Sequence, residues 1–209
     1  MKRILDLFFS LVISVFIITS VIKFTVNFKQ LYYFDIEYLN IPMISDMTNK
    51  DIKLNYDYLI EYNTKSSDSD FKLPTLKSST QGKIHFEEVR DIFVNINKIN
   101  FIMLIFSAIG IYFGFIKKDI EILKYSSVTL ITIPLILITP IILNFEKSFE
   151  IFHKLLFSND YWIFDPSLDP VINMLPGEFF LHSGIMILGL ILMFSIVMII
   201  SYNKIKNKE

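Results

Sequence analysis

The sequence predicts an all-α integral membrane protein with four transmembrane helices, and three observations carry the prediction. The 209 residues are 53% hydrophobic and 15% aromatic, more apolar than an ordinary water-soluble domain. The excess falls in four blocks, Ile4 to Phe28, Ile96 to Ile116, Ile122 to Leu143 and Phe179 to Tyr202, each near the ~20 residues a helix needs to cross about 30 Å of hydrocarbon. Basic residues mark alternate ends of these blocks: Lys2 and Arg3 before the first, Lys117, Lys118 and Lys124 around the turn 117–121, and Lys204, Lys206 and Lys208 at the end of the chain. By the positive-inside rule the N- and C-termini and that turn are cytoplasmic, so the loops 29–95 and 144–178 form a small extracytoplasmic domain.

The first block, within 1–28, has a basic start like a signal peptide. It outruns an ordinary apolar signal core and no small-x-small cleavage site follows, so it reads as an uncleaved helix, with Asp6 near one end and Lys23 able to snorkel at the other. The aromatic and β-branched run YYFDIEYLNIP suits an extended segment at the membrane surface. Thr48 followed by Asp51 resembles a capping box, and Ile52, Tyr56, Leu59 and Ile60 recur at helical spacing, predicting a helix over 49–62. Asn63 to Asp70 read as a polar exposed loop. After Gly82, the spacing of Ile84, Val89, Ile92 and Ile96 predicts a helix that runs unbroken into the second span, 96–116. In the third span, 122–143, Pro134 and Pro140 predict a bent helix. The second loop opens with a short helix bearing Phe145, Phe149, Phe152 and Leu156 on one face, with Glu146, Glu150 and His153 on or near the other. Asn159 and Asp160 then make a turn, and Asp165-Pro166 and Asp169-Pro170 exclude helix. Segment 179–209 is the fourth span and tail.

Several function classes fall away. A net charge of −1 with mixed signs leaves no basic stripe for nucleic acid. With no Cys there is no disulfide, no thiolate ligand and no Cys nucleophile. Neither GxSxG, HExxH nor a phosphate-binding glycine loop occurs. What remains is histidine: His85, with Glu88 at i+3, stands roughly two to three helical turns before the second span, and His153 follows Glu150 by three. His182, inside the apolar start of the fourth span, reads as a satisfied packing or interfacial histidine. Three chemistries fit: imidazole acid–base catalysis, a metal held by histidines and carboxylates, or a recognition surface with no chemistry, as in a membrane scaffold or lipid-sensing subunit.

The run FHKLLFSNDYWIFDPSLDPVINMLPGEFF, the HFEEVRDIF segment, the upstream NYDYLIEY and the four-helix layout together resemble the family of lipoprotein intramolecular transacylases (Lit), small bacterial membrane proteins. The family pattern around the first histidine is closer to Glu-x-x-His-Met-x-Asp-Val-Lys, whereas here Gly82 replaces the Glu and Glu88-Val89-Arg90 replaces Asp-Val-Lys. The resemblance implies an enzyme of the cytoplasmic membrane, its site facing outward, that needs no metal or other cofactor. Its partners would be membrane lipid and diacylglyceryl-modified lipoproteins, whose sn-2 acyl chain moves to the α-amine of the modified cysteine. On that reading His85 takes a proton from the amine while His153 stabilises the oxyanion or protonates the leaving oxygen, and the two roles are exchangeable. Glu88, Glu150, Asp165 and Asp169 would support them, Arg90 would meet carbonyl oxygen, and Trp162, Phe164 and Tyr56 would line the approach for lipid.

Overall fold

The computed structural model describes residues 2–64, 70–116 and 119–207, and only the backbone at 115 and 137–142. Nine helices and no strand occur among the described residues. They are α1 Lys2–Asn27, α2 Lys29–Tyr38, α3 Ile41–Ser45, α4 Asn49–Thr64, α5 Thr80–Ile116, α6 Glu121–Leu143, α7 Phe145–Leu156, α8 Val171–Met174 and α9 Gly177–Lys206. Three of these, α1, α5 and α9, are long and apolar enough to cross a membrane. The expected third span is helix α6, but the side chains around Pro140 lie outside the described residues, as do Lys117, Lys118, Lys208 and 65–69 of the predicted polar loop.

The chain divides into two units. The first comprises Met1–Thr25, Ile96–Thr139 and Ile185–Glu209. Serines form its helix contacts: Ser10 Oγ donates to the Ile122 carbonyl at 3.1 Å, and Ser195 Oγ donates to the Ser127 carbonyl at 3.0 Å. Such small hydroxyl residues let apolar helices approach closely where no water competes. Ile13, Ile17, Leu130 and Ile191 fill the space between them. Around this core Phe101, Ile111, Tyr112, Val128 and Ile196 are exposed, an apolar exterior suited to lipid. Lys23, expected to snorkel, instead donates to Asn100 Oδ1 at 3.0 Å. Asn100 in turn donates to Thr19 Oγ1 and Ser20 Oγ, at 3.0 and 2.8 Å, because an amide in an apolar helix must find partners within the protein.

The second unit comprises Val26–Asn95 and Pro140–Gly184. Its core gathers Tyr32, Ile36, Ile41, Ile52, Tyr56, Phe71, Phe86, Val171, Met174 and Phe179. The extended segment expected after the first span is instead the helix pair α2 and α3. Tyr32 and Ile36, four apart, both reach zero exposure on one helix face, and Asn40 and Asp46 adopt left-handed φ of 53° and 54° that bound α3. Core burial overrode the β-propensity of that aromatic run. Helix α4 forms as the cap predicts: Asp51 N donates to Thr48 Oγ1 at 3.2 Å and Thr48 Oγ1 donates to Asp51 Oδ2 at 2.8 Å. Tyr56, expected to line a lipid approach, is a core residue, 4% exposed and stacked on Tyr32 at 3.7 Å between ring centroids.

Candidate functional site

Two capped helices and one loop of the second unit present the histidines. Helix α5 begins at Ser79, whose Oγ accepts from Gly82 N at 2.9 Å, an N-cap bond to the third helical residue. The buried carboxylate of Asp169 fixes that cap, accepting from Ser79 N at 2.7 Å and from Ser79 Oγ at 2.6 Å. Gly82 is the notch that admits it, since a Cβ there would overlap Asp169 Oδ1. The carboxylate at this helix start therefore arrives from the loop and not from position 82. One turn later α5 presents His85, 5% exposed.

Helix α7 begins at Asn144, whose side chain accepts from Lys147 N at 2.9 Å. No residue of α7 is buried, yet its apolar and polar residues segregate to opposite faces as in an interfacial helix. His153 lies in its last turn, 2.7 Å from Nδ1 to the Phe149 carbonyl. A carbonyl only accepts, so Nδ1 carries the hydrogen and, in the neutral ring, Nε2 carries the lone pair. Trp162 stacks on the His153 ring at 4.8 Å between centroids, its Nε1 donating to the Asn159 carbonyl at 3.1 Å.

The rings of His85 and His153 stand 6.1 Å apart between centroids. Phe157 lies 4.7 Å and Phe164 5.4 Å from His85, and Phe149 lies 4.2 Å from His153. This apolar cage sets the electrostatics. Burial, then the neighbouring His153, pushes His85 down to about 4, and burial also lowers His153, opposed by its bond to the Phe149 carbonyl. Both shifts arise because an apolar surround disfavours the imidazolium, leaving two neutral imidazoles near pH 7. Nδ1 of His85 is buried with no hydrogen-bond partner among the described residues.

The other predicted residues divide. Trp162 and Phe164 belong to the cage. Glu88 is not bonded to His85; its Oε1 accepts from Asn159 Nδ2 at 2.7 Å. Glu150, expected to orient His153, pairs with Lys154 one turn on in an exposed ion pair, and the Phe149 carbonyl does the orienting. Asp165 is exposed and accepts from Ser167 N at 2.8 Å; the Ser167 side chain first, and then this backbone bond, lower its carboxyl in the turn before Asp169. Arg90 places its guanidinium over the Tyr62 ring, 4.8 Å from the centroid. Two groups escaped the sequence reading. Asn159, read only as a turn residue, joins Glu88 to the Trp162 loop, and its one advance signal is the preference of Asn for bonding nearby backbone. His182, read as packing, has Nδ1 2.8 Å from Oδ1 of the fully buried Asp35; 147 residues separate the two, and no local pattern announces the pair.

Among the described residues no three His, Asp or Glu side chains gather as they would around a metal ion. A cleft of about 300 Å³ lies beside the loop, lined by Gln81, Asp160, Tyr161, Ile163, Asp165, Leu168 and Asp169, and includes neither His85 nor His153.

The family model of the lipoprotein intramolecular transacylase Lit matches residues 7–180. Among solved structures, the membrane integral lipoprotein intramolecular transacylase Lit from Bacillus cereus is 44% identical, with 100% of this chain and 97% of that one covered and a TM-score of 0.96. A structure of that protein with an H85A mutation superposes at a TM-score of 0.91, with 44% identity over 100% of this chain and 94% of that one. One with an H85R mutation superposes at 0.86, with 43% identity over 99% and 94%. No curated protein sequence matches the chain.

Proposed function

The chain belongs to the lipoprotein intramolecular transacylase family, and from that premise we propose that His85 and His153 move the sn-2 acyl chain of a diacylglyceryl-cysteine lipoprotein to the α-amine of the same cysteine. The work is done at the outer face of the bacterial cytoplasmic membrane, where both reacting groups lie at headgroup level. The amine nitrogen attacks the ester carbonyl carbon, a C–N bond forms, the C–O bond to glycerol breaks, and one proton passes from nitrogen to the departing glycerol oxygen. Nothing else is consumed. Because amine and ester share one molecule, positioning supplies much of the acceleration and no enzyme nucleophile is required.

One observation carries the reading: two imidazoles, 6.1 Å apart between centroids, among aromatic rings. It supports the assignment in which the two exchangeable roles fall the other way round. His153, with Nδ1–H on the Phe149 carbonyl, offers its Nε2 lone pair as the base that takes the amine proton and returns it to the leaving oxygen. His85, held down to about 4, is the poorer base and suits hydrogen-bond donation to the oxyanion as a neutral ring. Trp162 and Asp169 position these two groups and do not react.

Mass spectrometry of a diacylglyceryl-cysteine lipopeptide incubated with the membrane-inserted protein tests this. The expected product has unchanged mass, one acyl group on nitrogen and a monoacyl glycerol. Loss of one acyl chain to water would make the protein a hydrolase and overturn the proposal.

A further inference from the structure

Glu88 has no assignment in the proton path described above, yet its surroundings are specific. Oε1 accepts from Asn159 Nδ2 at 2.7 Å, while Oε2 is buried and meets no hydrogen-bond partner among the described residues. A carboxylate oxygen withdrawn from water without a partner costs free energy, so such an exception calls for a cause, a ligand or reacting group among them. Asn159 is fixed in turn, because Tyr161 N donates to its Oδ1 at 3.0 Å and Trp162 Nε1 to its carbonyl at 3.1 Å. The carboxylate is thus held from the loop side by the segment that carries Trp162, which stacks on His153. It lies three residues beyond His85 on α5, the spacing at which helical side chains share a face. Arg90, the nearest cation in sequence, lies over the Tyr62 ring.

We propose that Glu88 is the recognition group for the substrate's primary ammonium, its bare Oε2 accepting an N–H of the cysteine α-ammonium while Asn159 holds Oε1. This rests on the transacylase reading and names the group that selects for a free amine. A lipoprotein whose α-amine is already acylated has no charge to offer here, and burying the carboxylate against it would leave the ion unpaired. The amine therefore arrives as the ammonium and gives one proton to His153, which releases it to solvent; the neutral amine then attacks from the position where Glu88 had placed it, and its second proton is the one that His153 passes to the departing glycerol oxygen.

E88Q separates charge from shape, since glutamine keeps an oxygen for Asn159 and removes only the anion. With a synthetic diacylglyceryl-cysteine lipopeptide, E88Q should raise KM roughly tenfold to a hundredfold, the range of a charge-assisted hydrogen bond. Direct binding of the lipopeptide and of its des-amino analogue gives a readout that needs no turnover. Wild-type protein should favour the free-amine form by a similar factor and E88Q should not. Equal binding of both by the wild type, or an unchanged KM in E88Q, overturns the proposal. A wild type that prefers the amine but transfers no acyl chain would leave this subsite standing and refute the transacylase reading instead. Phosphatidylethanolamine offers the same ammonium: in mixed micelles it should not compete with the lipopeptide, and competition abolished by E88Q would give the subsite to the lipid headgroup and overturn the assignment to the α-amine.

Discussion

His85 and His153 were legible in the sequence as residue types, each with a carboxylate three positions away, but the carboxylates have other partners. Glu150 reaches Lys154 at i+4, an exposed pairing that costs little, and His153 finds the Phe149 carbonyl on its own helix. Spacing therefore located the imidazoles and misjudged what orients them. Burial has a sign that can be checked. His85 is held down to about 4 against an ordinary 6.5, so between those values the unfolded chain binds more protons than the folded one, and stability is lost as pH falls through that window. The loss should reach about 3 kcal/mol by pH 4 in wild type, and H85Q should remove that part of the acid sensitivity. In NMR titrations the His85 ring should stay neutral to about pH 4 and His153 should titrate below 6.5. A His85 midpoint at or above 6.5 would contradict the aromatic cage as the source of the shift.

Helix boundaries were read well where a local signal exists, as at Thr48 and Asp51, and poorly where tertiary burial decides, as in α2 and α3. The start of α5 lies between these cases. Helical spacing after Gly82 is visible in the sequence, but the reason for a glycine at the third helical position is not, because Asp169 comes from 87 positions later, the difference between 169 and 82. This makes a prediction opposed to propensity. Alanine normally stabilises a helix over glycine by about 1 kcal/mol, yet G82A should lower stability by about 1–2 kcal/mol, the scale of a lost N-cap, by driving Asp169 off Ser79. Thermal unfolding of G82A and D169N would show it: both should melt below wild type, and a G82A protein that melts higher would remove Asp169 from its role at the cap. For α7, Asn144→Ala should cost about 1 kcal/mol by the same capping argument, measured as a lower unfolding midpoint.

For the molecule as a whole, the membrane class was legible because apolar blocks of spanning length announce themselves, and α1, α5 and α9 have that character. The loops 29–95 and 144–178 read as one small domain, but the core of the unit Val26–Asn95 and Pro140–Gly184 was not legible, since it joins Tyr32, Tyr56, Phe86 and Met174 from stretches that share no sequence pattern. Sidedness is testable because the chain has no Cys, so an introduced thiol is unique. With a membrane-impermeant maleimide on intact cells, Ser158→Cys should label and Asn203→Cys should label only after permeabilisation; the reverse pattern would turn the site to the cytoplasm. The central claim is that the histidine pair carries the acyl transfer, and its most direct measurement is the single-turnover rate of acyl migration, followed by mass spectrometry, in wild type, H85Q and H153Q. The account predicts that each variant folds, binds the lipopeptide and transfers at least roughly a hundredfold more slowly, the lower range for a general base or an oxyanion donor. A variant that transfers at the wild-type rate would contradict it.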